Sequence, residues 1–165
     1  LDALAGLKGR DVKALLKDWE PKNLEQAKET AKRLGLDNVA FEPGDAFNRD
    51  SILAATPRPN IVIVSGLYEL FPDNAPVLAS LAGIAGVLEE GGCLLYTCQP
   101  WHPQVEMIAR TLTNRDGVPW IMRRRTQAEM DELVRSVGLT KQDMRIDEFG
   151  IFTVSTAVKR TRGPA

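Results

Sequence analysis

The sequence predicts an α/β fold: a mostly parallel sheet with helices on both faces, closed by a C-terminal antiparallel hairpin. Three observations carry this. Short β-branched runs alternate with amphipathic helical stretches from residue 12 onward. The turns at the ends of those runs are acidic or contain glycine. The last two runs, 142–148 and 151–158, are separated only by Phe149 and Gly150, too little chain for a helix, so they must pair antiparallel.

The elements follow in order. Leu1, Leu4 and Leu7 recur at near-helical spacing up to Gly9, so the chain opens inside a helix, without an initiator Met. Residues 12–16 form a short strand. Pro21 then opens a helix whose Leu24, Ala27, Ala31 and Leu34 share one face, and Gly35 closes it. Residues 39–42 make the next strand, and 51–55 a short helix. The run 61–65, IVIVS, has the uninterrupted β-branched character of a strand buried on both faces, which predicts a central position. Asn74 can cap a helix striped by Leu78, Leu81, Ala85 and Leu88; Gly91 and Gly92 end it, and the strand 93–97 follows. A helix spans 103–112. Thr126 with Glu129 makes a capping box ahead of Met130, Leu133, Val134 and Val137, and Gly138 stops that helix. One domain over 1–160 accounts for the pattern, with 161–165 a frayed tail.

Composition narrows the function classes. A chain of 165 residues, 44% hydrophobic, supports one core. With 21 Lys and Arg against 22 Asp and Glu, no overall field favours nucleic acid or an anionic membrane. Apolar stretches stop well short of the roughly 18 residues of a spanning helix, which predicts a cytoplasmic protein. Cys93 and Cys98 sit at an odd separation in one strand, on opposite faces, so a disulfide between them is not expected, and no His or Cys cluster suggests a metal.

In such a sheet the binding crevice lies at the carboxyl ends of the strands. Asp18, in KDWEP, follows the first strand, where a carboxylate can accept from both hydroxyls of a ribose; a solvated loop acid beside a helix start would look the same. Asp45, in EPGDAF, can accept from an exocyclic amine while the Ala46 N–H donates to a ring nitrogen, a pairing that suits adenine; GD is also an ordinary turn. Ser65 and Gly66 allow close backbone approach. Tyr68 or Glu69 could face a substrate, or be a packed aromatic and an acid balancing a helix dipole. His102, the only histidine, is a candidate general base or an exposed loop residue. Arg123, Arg124 and Arg125 could hold an anion or simply be solvated ahead of a helix.

The order of these features resembles the class I S-adenosylmethionine-dependent methyltransferases, which are Rossmann-like. It runs as an acid after one strand, GDA after the next, a β-branched strand ending SG, a helix ending LEEGG, a further strand and a terminal hairpin. The resemblance covers residues 12–159. It implies S-adenosylmethionine as cofactor, with Asp18 and neighbouring Trp19 at the ribose, Asp45 and Ala46 at the adenine, and Ser65 and Gly66 on the methionine side. It implies a small-molecule cofactor and leaves the methyl acceptor unidentified, with Tyr68 or His102 as candidate bases. QPWHPQ and the 123–125 region look most like methyltransferase domains of bacterial proteins, some fused to an α/β-hydrolase domain. The family's first strand and its glycine-rich turn have no counterpart in the sequence, so the domain reads as N-terminally truncated. That strand sits mid-sheet in the family; without it two strand edges stay unpaired and prone to self-association. A non-catalytic Rossmann-like scaffold is the alternative reading, and an NAD-dependent oxidoreductase a weaker one.

Overall fold

The structure is a computed structural model and describes residues 1–7, 9–114 and 117–160. Helix α1 (Asp2–Ala5) is a single turn that ends before Gly6 rather than at Gly9. Then come β1 (Ala14–Asp18), α2 (Pro21–Leu34), β2 (Val39–Pro43), α3 (Arg49–Leu53), β3 (Ile61–Val64), a 3-10 turn (Tyr68–Leu70) and α4 (Asn74–Val87). The chain continues through β4 (Cys93–Cys98), α5 (Val105–Thr111), α6 (Gln127–Ser136), β5 (Leu139–Ile146) and β6 (Thr153–Lys159). The expected frayed tail, 161–165, lies outside the described residues.

Local chemistry sets the boundaries. Strand β1 starts two residues later than expected because the Asn38 side chain donates to the Val12 carbonyl at 2.6 Å, so ladder pairing begins at Ala14 with Val39. Pro21 opens α2, and Gly35, at φ 62°, closes it in the left-handed conformation, with the Leu36 N–H donating to the Ala31 carbonyl. Asp73, not Asn74, takes the N-cap position of α4; Asn74 is the first helical residue and its side chain is used elsewhere. Half of the expected capping box forms: the Glu129 N–H donates to Thr126 Oγ1 at 3.1 Å, while the Glu129 carboxylate accepts from Arg123 and Asn74 instead.

The strands form two sheets. Strands β1 and β2 pair in parallel. The second sheet runs β3-β4-β6-β5, with β3 and β4 parallel and β6 antiparallel to both β4 and β5. The terminal hairpin is therefore present, its turn fixed by Asp147, whose Oδ1 accepts from the Ile151 and Phe152 N–H groups. Strand β3 is not central. It pairs with β4 alone, and Ile61 and Ile63 are 56% and 68% exposed, because among the described residues nothing covers that face or that edge. A β-branched run has the character of a two-sided strand whether or not its neighbours are present. Strands β1 and β3 do not hydrogen-bond to each other.

The core lies under the second sheet, where Val77, Leu81, Ile84 and Leu88 meet Leu94 and Tyr96 of β4 and Met130 and Val134 of α6. Helix α4 is apolar nearly all round because it is covered from two sides, by α3 and by the sheet with α6. Gly83 and Gly86 make the α3 contact possible. A Cβ at these positions would stand 2.9 Å from Ile52 Cδ1 and 2.7 Å from Leu53 Cδ2. This contact joins the first sheet's connecting helix to the main core.

Candidate ligand site at the strand ends

Asp18 is the last residue of β1, facing Pro43 across the ladder, and the Gly44 N–H donates to the Asp18 carbonyl at 3.0 Å. That bond draws the EPGDAF turn against the end of β1. Gly44 fits there because it lacks a side chain: a Cβ would stand 2.7 Å from Lys17 Cε. Lys17 in turn donates to the Ser51 carbonyl at 2.8 Å, tying the start of α3 to the same edge. Asp18 and Asp45 thus stand at one sheet end, as the sequence suggested.

The two carboxylates are only part-used. Asp18 Oδ1 accepts from the Glu20 N–H at 2.8 Å and Oδ2 from Asn23 Nδ2 at 3.2 Å. A carboxylate offers about four lone-pair sites, so two remain for hydroxyl donors. Asp45 Oδ1 accepts from the Phe47 N–H at 2.8 Å, an Asx turn, leaving the other oxygen of this exposed residue for a ligand. Ala46 is exposed beside it. Trp19 is 58% exposed next to Asp18.

Ser65 and Gly66 leave the end of β3, both exposed, with Gly66 at φ 67°, a backbone conformation that disfavours a side chain. The Gly66 N–H donates to Thr97 Oγ1 at 2.8 Å, linking this loop to the end of β4. No hydrogen bond among the described residues joins this pair to the Asp18 and Asp45 end; the two groups are brought to strand ends of different sheets.

The candidate bases separate. Tyr68 is 2% exposed, its hydroxyl shares a hydrogen with Ser80 Oγ at 2.9 Å, and burial pushes the phenol well above its ordinary value, against the pull of Ser80. It is a core residue, because the 3-10 turn directs it under α4. His102 is half-buried in the loop before α5, and its Nδ1 accepts from the Gln104 N–H at 3.1 Å, which leaves the proton on Nε2.

The three arginines are not a solvated run. Arg125 is 2% exposed and donates to the Tyr68 and Asp73 carbonyls and to Asn74 Oδ1 at 2.7 to 2.8 Å. Arg123 pairs with Glu129. The Arg124 guanidinium is buried with none of its three nitrogens hydrogen-bonded, and neither carboxylate oxygen of Glu69 nor Oε1 of Gln99 has a partner. Burial pushes the Glu69 carboxyl up, partly offset by its own main-chain amide and by the charges of Arg124 and Arg125. Gln99 opens the QPWHPQ segment and Arg124 lies in the 123–125 run, but that Gln99 lines one cavity with Glu69 is visible only in the fold. Among the described residues no group of three or more His, Cys, Asp or Glu is placed to hold a metal ion, and no helix is long and apolar enough to cross a membrane.

Comparison with known proteins follows the same lines. A family model described as "Putative methyltransferase" matches residues 1–159. The chain is 55% identical over 163 residues to the uncharacterized protein YnbC of Escherichia coli K12, covering 97% of this chain and 28% of that relative's length. Among solved structures, a SAM-dependent methyltransferase from Methanosarcina mazei superposes with a TM-score of 0.71 at 15% identity, covering 97% of this chain and 86% of that one. An O-methyltransferase family protein from Burkholderia thailandensis reaches 0.72 at 15% identity, over 91% and 44%. These likenesses show a shared class I methyltransferase fold.

Proposed function

The chain belongs to the "Putative methyltransferase" family, and from that premise we propose that the full-length protein transfers a methyl group from S-adenosylmethionine to a small-molecule acceptor. The observation that carries this reading is the paired strand end. There Asp18 keeps lone pairs for ribose hydroxyls, and Asp45 and Ala46 offer an acceptor and an N–H side by side, as adenine requires.

The residues fit the cofactor's nucleoside end: Asp18 with Trp19 at the ribose, Asp45 and Ala46 at the base, and Ser65 and Gly66 on the methionine side. When bound, the cofactor supplies a sulfonium methyl already electrophilic enough to react, so the protein's task is to bind, orient and exclude water. His102 is the remaining candidate to take a proton from an acceptor, through Nδ1 after the ring turns away from the Gln104 N–H, or through Nε2 after its tautomer exchanges. We read residues 1–160 as one cytoplasmic domain of a longer bacterial chain. The unpaired edges of β1 and β3 would take a strand and glycine-rich turn from another part of that protein, with a fused hydrolase domain as one arrangement. The break between the sheets also favours a second reading, a non-catalytic scaffold that has lost cofactor binding.

Titrating the full-length protein with S-adenosylhomocysteine and, in parallel, NADH decides among these. Saturable binding of S-adenosylhomocysteine alone supports methyl transfer. Binding of NADH alone would point to an oxidoreductase, and binding of neither to a scaffold.

A further inference from the structure

A ligand that reaches from Asp18 and Asp45 to Ser65 and Gly66 has to touch strand ends of two different sheets. Among the described residues no hydrogen bond joins the turn after β2, residues 44–48, to the segment after β3, residues 65–73. The rings of Phe47 and Phe71 do meet across that gap. They pack edge to face, with centroids 4.4 Å apart and planes at 67°, and both are half-buried.

Each ring stands on a braced segment. On the first-sheet side the Phe47 N–H donates to Asp45 Oδ1 at 2.8 Å, the Asn48 N–H to the Asp45 carbonyl at 3.2 Å, and the Asp45 N–H to Ser51 Oγ at 3.2 Å. Asp45 and Phe47 therefore move together with the start of α3. On the second-sheet side the Phe71 N–H donates to the Tyr68 carbonyl at 3.4 Å, and the buried Arg125 holds the carbonyls of Tyr68 and Asp73, on either side of Phe71, at 2.7 and 2.8 Å. Arg123 adds a bond to the Pro72 carbonyl at 3.2 Å. The same segment begins at Ser65 and Gly66, where the Gly66 N–H is held by Thr97 Oγ1 at 2.8 Å.

The α3–α4 contact joins the two sheets through their helices, whereas the ring pair joins them through the strand-end loops that carry the candidate ligand groups. An edge-to-face pair has a preferred distance and angle, so it sets the spacing of the segments it joins. Two half-sites already held at the right spacing bind a spanning ligand more tightly than half-sites that must be aligned on binding.

We propose that Phe47 and Phe71 are positioning residues that align the nucleoside end of the site, on the first sheet, with the methionine side, on the second. This role rests on the cofactor reading above; the ring contact does not.

Two probes separate alignment from stability in isothermal titration of the full-length protein. S-adenosylhomocysteine spans both ends, and 5′-methylthioadenosine carries the nucleoside without the amino acid. Phe71→Leu, which keeps apolar bulk and loses the ring, should weaken S-adenosylhomocysteine about three- to tenfold, the scale of an aromatic pair, and leave 5′-methylthioadenosine binding as to the wild type. Phe47→Leu, on the other side of the contact, should show the same split, which keeps the test open if one variant does not fold. Phe71→Tyr, which retains the ring, should bind both probes like the wild type. Equal weakening of the two probes would make the pair ordinary packing, and unchanged S-adenosylhomocysteine affinity in the Leu variants would leave it without a role; either result overturns the proposal. Wild-type protein that binds 5′-methylthioadenosine as tightly as S-adenosylhomocysteine would overturn it too, since the second sheet would then add nothing. Wild-type protein that binds neither probe would remove the cofactor reading, and the positioning role with it.

Discussion

The two sheets of this protein hold their strands in different ways. Of the buried apolar residues among those described, only Leu24, Ala31 and Leu36 precede residue 60, whereas the sheet from β3 to β5 lies on a continuous core from Tyr68 to Ala157. The β1–β2 pair is held by helix α2, by the Lys17 and Asn38 side chains and by the α3–α4 contact. The exposed sheet carries its candidate ligand groups in strand-end turns, partly satisfied by neighbouring main chain. The packed sheet also carries exposed Ser65 and Gly66 at the end of β3, and beneath it the Glu69 carboxylate oxygens and Gln99 Oε1 are buried without hydrogen-bond partners.

Core truncations should separate the sheets most strongly. Leu81→Ala, at a site with no exposure, should lower stability by about 2 to 5 kcal/mol in urea unfolding, and Leu16→Ala in β1 by about half that or less. Equal losses would mean that the first sheet is as firmly packed as the second. Helix caps sharpen the point. Thr126→Ala, which removes the cap of α6, should cost about 1 kcal/mol of global stability, while Asn48→Ala, which removes the cap of α3, should appear mainly as faster amide exchange in β1 and β2. If both shift the global transition equally, the two sheets unfold as one unit.

The Glu69 carboxyl gives a pH signature confined to the packed sheet. Its value in the folded protein is raised above the ordinary 4.5 by burial, so below that pH both folded and unfolded states carry the proton. As pH rises, the unfolded chain ionises first and the folded state loses stability until Glu69 ionises there too. Glu69→Gln should therefore melt with the wild type near pH 4 and above it near pH 8. A variant less stable at pH 8 would show that the charges of Arg124 and Arg125 outweigh burial. The smallest expected effect is on thiol chemistry. Both cysteines are free; Cys98 is buried, and burial, with the Glu69 charge adding to it, pushes its thiol up to about 11. Cys93 should react first with iodoacetamide at pH 8, and Cys98 only on unfolding.

Much of this was legible in the sequence where the determinants are local. Periodicity found every strand and helix from β1 onward, the Thr126 N-cap and the hairpin, because each depends on residues within a few positions of one another. Asp18 and Asp45 were visible for the same reason: they sit in turns their own neighbours define. The start of β1 was misplaced because Asn38, far along the chain, claims the Val12 carbonyl. The 3-10 turn decides that Tyr68 packs into the core, which spacing alone does not state. The placing of Glu69 and Gln99 on one cavity was not legible, since it arises from two separate connections brought together by the β3–β4 pairing.

Isothermal titration of the full-length protein with S-adenosylhomocysteine tests the carboxylates at the ends of β1 and β2 most directly. Asp18→Ala and Asp45→Ala should each weaken binding by roughly 1 to 3 kcal/mol, about 5- to 150-fold in dissociation constant, the scale of hydrogen bonds to a charged acceptor. Dissociation constants equal to that of the wild type in both variants would contradict the assignment of this strand end to the cofactor.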